Sequence, residues 1–153
     1  MRPLLLPLLA SPLLALVACG PHHIPGTDLE DTGDTRAIID VIQKYNNALV
    51  AKDAAGILAL VDPSFHDTGG TLAADDDLDY AKLKAVLPQR LARLSDIALR
   101  MDIKTIDVKG DAASAVYTWV SSFKLANRAM TESDIKRMDL KRTASGWKIV
   151  SGI

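Results

Sequence analysis

Apolar residues recur at three- and four-residue steps from residue 38 to residue 49, which is typical of an amphipathic helix. Asp34 precedes this stretch and is the predicted N-cap, because its side chain can accept a hydrogen bond from a free N–H of the first turn. A shorter apolar stripe at 54–61 predicts a second helix with Asp53 as its cap. Pro63 ends this helix, since the residue before a proline is disfavoured in the helical conformation.

A short strand and a third helix follow. Residues 64–68 alternate as a strand does, with Phe65 and Asp67 on one face. The apolar stripe at 80–94 predicts the third helix. Pro88 should kink or split that helix, because proline lacks the N–H that the helical hydrogen-bond ladder needs.

The second half of the chain alternates between apolar and polar residues, which indicates strands. The first run, 97–108, slips by one residue at Lys104-Thr105, which predicts a β-bulge and therefore a bent sheet. Runs at 113–125 and 135–141 and a last one near the end follow after short turns, as in an antiparallel meander. The predicted fold class is α+β, a cone in which three helices pack in a curved antiparallel sheet.

The first residues have the composition of a targeting segment. Residues 1–18 place one cation before an apolar run that stops at small residues, as in a secretory signal peptide. The motif Leu-Val-Ala-Cys at 16–19 closely resembles the bacterial lipobox, which implies that Cys19 carries a lipid after cleavage. The alternative is an ordinary signal peptide that leaves Cys19 as an odd thiol. The Gly-, Pro- and Asp-rich residues 19–33 are interpreted as a flexible tether and 34–153 as the domain.

Composition and charge exclude several classes of protein. The chain has 153 residues, 18 basic and 19 acidic side chains and a formal net charge of −1, so neither a multidomain enzyme nor a nucleic-acid-binding protein is indicated. The single cysteine excludes an internal disulfide framework and a multi-thiolate metal site. No metal-ligand spacing and no phosphate-binding glycine loop is legible, so we expect no metal and no cofactor.

The order of these elements, together with four short motifs, resembles the nuclear transport factor 2-like (SnoaL-like) superfamily. The motifs are Tyr45 to Asp53, Leu60 to Pro63, Val108 to Ala113 and Gly146 to Val150, and the likeness extends over about residues 34–153. It implies a cone of three helices inside a bent sheet. This fold serves isomerases, dehydratases and cyclases as well as non-catalytic ligand-binding and dimerising modules, so it does not by itself decide the function.

Two residues would carry chemistry if the chain were an enzyme. Resemblance to the ketosteroid isomerases of this superfamily implies that Asp67 is the proton carrier and Tyr45 the oxyanion donor. Those isomerases also use a protonated acid on a later strand, whereas residues 116–120 contain none. A developing oxyanion would therefore lack one donor. The alternative is that Tyr45 is a core aromatic and that Asp67 accepts a backbone amide at a loop edge.

Three further polar residues are weaker candidates. His66 is next to Asp67 but should point to the opposite face of its strand. Arg137 and Asp139 share one face of a later strand. Facing inward they would form a buried pair and a candidate site, whereas facing outward they would form a solvated rim, which is the preferred interpretation.

The predicted function is that of a lipid-anchored protein of the bacterial cell envelope whose non-catalytic domain binds a small apolar ligand or a protein partner. The alternative is a small cofactor-independent isomerase, dehydratase or cyclase. Phe65, Tyr117 and Trp119 are the predicted ligand-pocket residues, although aromatics at strand spacing are also typical of a plain core. Outward-facing valine and threonine side chains on the long strand favour a homodimer through the sheet face.

Overall fold

The computed structural model describes residues 22–69 and 77–153. The helices are α1 (Gly33–Val50), α2 (Ala54–Leu60) and α3 (Tyr80–Ala92), and the strands are β1 (His66–Asp67), β2 (Leu78–Asp79), β3 (Leu94–Lys109), β4 (Ala112–Leu125), β5 (Arg128–Thr143) and β6 (Gly146–Ser151). No helix within these two ranges is both long enough and apolar enough to span a membrane. The predicted signal peptide and the predicted lipid attachment at Cys19 lie outside the described residues.

Four strands form one antiparallel sheet in the order β3-β4-β5-β6, and β1 pairs with β2 in a separate antiparallel ladder. The register of β3 against β4 shifts between Ile103 and Thr105, where the sequence predicts the bulge, and also between Ser95 and Ala98. Such shifts leave residues of β3 without a partner and bend the strand. The predicted α+β class, with three helices and a curved antiparallel sheet, is confirmed.

Strand β5 is longer than its alternating stretch at 135–141 predicts. Residues 128–135 are all exposed, so no apolar alternation marks them. They are nevertheless paired with β4, beginning with Arg128 opposite Leu125. Pairing with a neighbouring strand, and not burial, defines this part of β5.

The first helix begins earlier than the sequence prediction. Its N-cap is Thr32, whose Oγ1 accepts the backbone N–H of Thr35 at 3.0 Å. Asp34, the predicted cap, lies in the first turn of α1 and binds Arg142 instead. The prediction of Asp34 as the cap is therefore wrong, because the helix already begins at Gly33 with Thr32 as its cap.

The other two helix starts follow the usual side-chain capping. Asp53 caps α2 as predicted, accepting the N–H of Gly56 at 2.9 Å, and Asp79 caps α3, accepting the N–H of Lys82 at 2.7 Å. Pro88 lies inside α3 without ending it. Its side chain is exposed, so the ring displaces no core residue.

Residues 22–32 form a small hydrogen-bonded hairpin before α1. His23 pairs with Glu30, and the N–H of Ile24 donates to the carbonyl of Leu29 at 2.8 Å. Leu29 is buried. The interpretation of 19–33 as a flexible tether therefore does not describe these residues, because a buried leucine and backbone hydrogen bonds order them.

One apolar core joins the helices to the inner face of the sheet, which we define as the face that carries Ala115, Tyr117 and Leu140. The buried helical members are Ile38, Val41, Ile42, Tyr45, Ile57, Leu83, Leu87 and Leu91, and the buried strand members are Ala113, Ala115, Tyr117, Met138, Leu140, Trp147 and Ile149. Burying an aliphatic side chain of this size stabilises a fold by about 1.5–3 kcal/mol. The sheet and the helical stripes are thus stabilised by the same set of contacts.

Candidate functional site

Three polar groups interact where α1, β1 and β4 converge. Tyr45 belongs to α1, Asp67 ends β1 and Tyr117 lies on β4, and both tyrosines are buried. Burial raises the pKa of Tyr45 above its usual range, and the neighbouring Tyr117 and Asp67 raise it further. Burial, followed by the charge of Asp67, raises the pKa of Tyr117 to about 12. Both phenols therefore keep their protons at neutral pH, so neither can act as a base there.

Both carboxylate oxygens of Asp67 accept backbone hydrogen bonds. Oδ1 accepts the N–H of Gly69 at 2.9 Å, and Oδ2 accepts the N–H of Gly152 at 2.7 Å. The hydroxyl of Tyr117 donates to the carbonyl of Gly152 at 3.3 Å. Asp67 and Tyr117 together fasten the segment after β6 to the rest of the fold. This geometry fits the alternative in which Asp67 binds backbone amides.

A cavity of about 510 Å³ opens beside Trp119, which follows Tyr117 on the inner face of β4. We call it the Trp119 cavity, and its lining residues are Leu49, Arg90, Leu94, Ile97, Leu99, Trp119, Ser121, Phe123, Glu132 and Lys136. The lining is mostly aliphatic and aromatic, with a few polar groups. Its size and composition are typical of small-molecule sites.

Two contacts hold the indole of Trp119 in place. Its Nε1 donates to Oγ of Ser121 at 3.0 Å, and Nζ of Lys136 lies 4.7 Å from the ring centroid. Ser121 is buried, so the acceptor of the indole N–H is itself fixed. A cation over an indole face is attracted by the ring quadrupole. The cavity therefore has one rigid aromatic wall with an ammonium group over it.

The structure separates the three predicted pocket residues. Trp119 lines the cavity, whereas Phe65 and Tyr117 are core residues with exposed fractions of only 2% and 1%. Phe65 and Tyr117 do not line the Trp119 cavity, because helical side chains pack over them. Phe123, which shares the inner face of β4, lines it together with Trp119. Alternation predicts the face correctly but does not predict where along the strand the helices end.

The exposed polar candidates form surface contacts. Arg137 Nε is 2.8 Å from Oδ1 of Asp139 and both side chains are exposed, as the solvated-rim interpretation predicts. His66 is exposed, and its Nε2 is 3.3 Å from Oδ2 of Asp77. Within residues 22–69 and 77–153, no group of three or more His, Cys, Asp or Glu side chains is arranged to hold a metal ion.

A charged cluster that sequence reasoning missed joins α1 to β5 and β6. The guanidinium of Arg142 donates two hydrogen bonds of 2.7 Å to Asp34 and lies 4.6 Å from the ring centroid of Trp147. Nε1 of Trp147 donates to Asp34 at 3.3 Å. The Arg142 hydrogen bonds are the main cause of the lowered pKa of Asp34. These partners are more than 100 residues apart, so no local spacing signals the cluster.

Solved structures with this arrangement of elements exist, although no family sequence profile and no curated protein matches the chain. A proposed aromatic ring hydroxylase from Novosphingobium aromaticivorans superposes with a TM-score of 0.68 at 20% identity, covering 78% of this chain and 85% of that one. A proposed dehydratase of the nuclear transport factor 2-like family from Streptomyces avermitilis gives a TM-score of 0.65 at 15% identity, covering 78% and 93%.

A ketosteroid isomerase-like protein from Erwinia carotovora atroseptica is similar as well, with a TM-score of 0.64 at 14% identity over 80% of this chain and 95% of that one. The superpositions show the fold, whereas sequence identities of 14% to 20% leave the function open. The chain has the nuclear transport factor 2-like fold, as the resemblance of its sequence motifs predicts.

Proposed function

We propose that this chain is a bacterial lipoprotein whose cone-shaped domain binds a small apolar ligand without transforming it. The observation that carries the proposal is the Trp119 cavity of about 510 Å³, with its largely apolar lining on the inner face of the sheet. When a ligand covers the apolar surface of such a site, that surface is removed from water, which favours binding. Ala115, Tyr117 and Leu140 are buried on the inner face, whereas Trp119 keeps part of its surface accessible to a ligand.

The occupied carboxylate of Asp67 supports a non-catalytic function. A general base must reach the proton that it removes, within hydrogen-bonding distance of the substrate. Asp67 instead holds the backbone of Gly69 and Gly152 at 2.9 Å and 2.7 Å. Both oxygens of the Asp67 carboxylate therefore hold the backbone in place.

A ligand screen tests the proposal directly. Thermal unfolding of the full chain should shift upward with compounds that bind the folded form, because binding to the native state stabilises it. Trp119→Ala should abolish these shifts, since it removes the aromatic wall of the cavity. Thr118→Ala is the matched control, because the neighbouring residue does not line the cavity. Shifts that persist in Trp119→Ala would show that the compounds bind outside the Trp119 cavity.

The anchor is tested separately at Cys19. We expect mass spectrometry of the mature protein to find two or more acyl chains at Cys19, because one chain holds a protein to a membrane only marginally. Cys19→Ser should move the protein from the membrane fraction to the soluble fraction. An unmodified thiol at Cys19 would refute the anchor without affecting the proposal for the cavity.

A second candidate is proton-transfer chemistry at Asp67. The electrostatic contact of Asp67 with Tyr45 favours it, because the buried phenol of Tyr45 keeps its proton and could donate a hydrogen bond to an oxyanion, whereas the hydroxyl of Tyr117 already donates to Gly152. Solved neighbours named as a dehydratase and as isomerase-like fit this candidate. Deuterium exchange into the α-carbon of a cyclic ketone, followed by NMR, distinguishes the two functions. If the wild type catalyses the exchange and Asp67→Asn does not, the function is enzymatic and the proposal of a non-catalytic binding domain is wrong.

A further inference from the structure

We propose that the Trp119 cavity selects monoanionic ligands, small carboxylic acids with an apolar body, whose carboxylate pairs with Arg90 and Lys136. This inference rests on the proposed function, since it names the chemistry of the ligand that the cavity binds. It derives from the charged residues of the lining, which comprise two cations and one anion, Glu132.

The apolar lining fixes the character of the ligand body. Six of the ten lining residues are aliphatic or aromatic, namely Leu49, Leu94, Ile97, Leu99, Trp119 and Phe123. A ligand with a polar body would place its hydroxyl or amide groups against these side chains without hydrogen-bond partners, which costs free energy. An alkyl chain or an aromatic ring meets no such penalty.

The two cations are available to an anion. None of the ion pairs formed among the described residues includes Arg90 or Lys136. Lys136 is instead held over the indole of Trp119, 4.7 Å from the ring centroid. An ammonium group that an aromatic ring already positions loses less conformational entropy when it binds a carboxylate. Arg90 adds a guanidinium, whose planar fork matches a carboxylate.

The carboxylate of Glu132 limits the number of charges on the ligand. The two cations, Arg90 and Lys136, and the one anion, Glu132, give the lining a formal charge of +1. One bound carboxylate neutralises that charge. A second carboxylate would lie near Glu132 in a partly desolvated cavity, where like charges repel more strongly than in water. The cavity should therefore discriminate between a monocarboxylate and a dicarboxylate of equal length.

Three eight-carbon probes test this preference by isothermal titration calorimetry on the full chain: octanoate, its neutral amide octanamide, and the dicarboxylate suberate. We expect octanoate to bind about tenfold more tightly than octanamide, the factor that one charge-assisted contact gives. Suberate should bind more weakly than octanoate, and Glu132→Gln should reduce that difference. Arg90→Gln and Lys136→Gln should each weaken octanoate about tenfold and leave octanamide unchanged.

Lys84→Gln is the matched control, because Lys84 is an exposed residue of α3, as Arg90 is, and does not line the cavity. Equal affinity for octanoate and octanamide would overturn the anion preference while the binding function stands. Equal effects of Lys84→Gln and Arg90→Gln would also overturn it, since the effect would then be one of overall charge. If none of the probes binds, the ligand class is wrong. The proposed function falls only if the broader thermal screen fails too.

Discussion

Asp62 is a buried carboxylate that holds the turn between α2 and β1. Its Oδ1 accepts the N–H of Ser64 at 2.8 Å, the hydroxyl of Ser64 at 2.6 Å and Nζ of Lys141 at 2.9 Å. The Ser64 hydrogen bonds, then Lys141, lower the pKa of Asp62 to about 2. The hydrogen bonds thus stabilise the charged form in the folded state only.

This lowered pKa predicts acid sensitivity. An aspartate has a pKa of about 3.9 in an unfolded chain, so the stability that Asp62 adds is complete above about pH 4. It is lost as the pH falls from about 4 to about 2, because the folded state must then take up a proton. Urea unfolding at pH 7 and at pH 3 should give a smaller free energy of unfolding at pH 3.

Asp62→Asn should flatten that pH dependence and lower the free energy of unfolding at pH 7 by roughly 1.5–3 kcal/mol, the usual cost of losing hydrogen bonds to a charged group. Asp107→Asn is the control, because Asp107 forms an exposed ion pair with Lys109. Exposed pairs contribute about 0–1 kcal/mol. A pH profile of Asp62→Asn that matches the wild type would contradict this account of Asp62.

The segment after β6 illustrates how one element is fastened by backbone geometry. Gly152 has a φ of +87°, and an added Cβ would overlap the carbonyl oxygen of Arg137. Its N–H and carbonyl also bind Asp67 and Tyr117. The segment can adopt this position only with glycine, because any side chain meets the β5 backbone.

Gly152→Ala should therefore be strongly destabilising, by more than the roughly 1–2 kcal/mol that the left-handed conformation alone costs a residue with a Cβ. Gly146→Ala provides the comparison, since Gly146 has a φ of +102° but a Cβ there meets nothing within 4 Å. Thermal melts of both variants separate conformational strain from steric overlap. Equal losses of stability would show that the overlap with Arg137 is relieved at no cost.

Elements with a local signal were predicted, and elements defined by distant partners were not. The apolar stripes give the three helices and the slip near Thr105 gives the bulge, because both depend on neighbouring residues. The strand β1 lies within the predicted strand at 64–68, but its partner β2 has no local signal, because the pair depends on His66 lying opposite Asp79. The exposed start of β5 likewise depends on its ladder with β4. Thr32 and Asp34 are both residue types that cap helices, and the sequence does not show that Asp34 binds Arg142, far along the chain, while Thr32 is the cap.

The same division applies to the candidate site. Alternation predicts that Tyr117 and Trp119 share the inner face, but only the packed helices bury one and leave the other beside a cavity. The charged residues Arg90, Glu132 and Lys136 come from α3 and β5 and meet only in the folded molecule. Their contribution to a site is therefore invisible in any local window of the sequence.

On the scale of the whole molecule, the outer face of the sheet carries an apolar stripe between charged pairs. Ile135 has an exposed fraction of 71% and lies opposite Thr118, with Val116 and Val120 on the same face of β4. The flanking pairs are Arg100 with Asp102 on β3 and Arg137 with Asp139 on β5. Each flank carries both signs of charge, so a second copy related by a twofold axis can match it.

We expect two copies to pair through this stripe, because covering an exposed isoleucine and its neighbours removes apolar surface from water. Light scattering after size exclusion should give the mass of a dimer for the wild type and of a monomer for Ile135→Glu. Met130→Glu is the control: Met130 is an exposed apolar residue of β5 that pairs with Phe123 and so lies on the inner-face side. It should leave the dimer intact. A monomeric wild type, or equal disruption by both variants, would exclude the outer face as the contact surface.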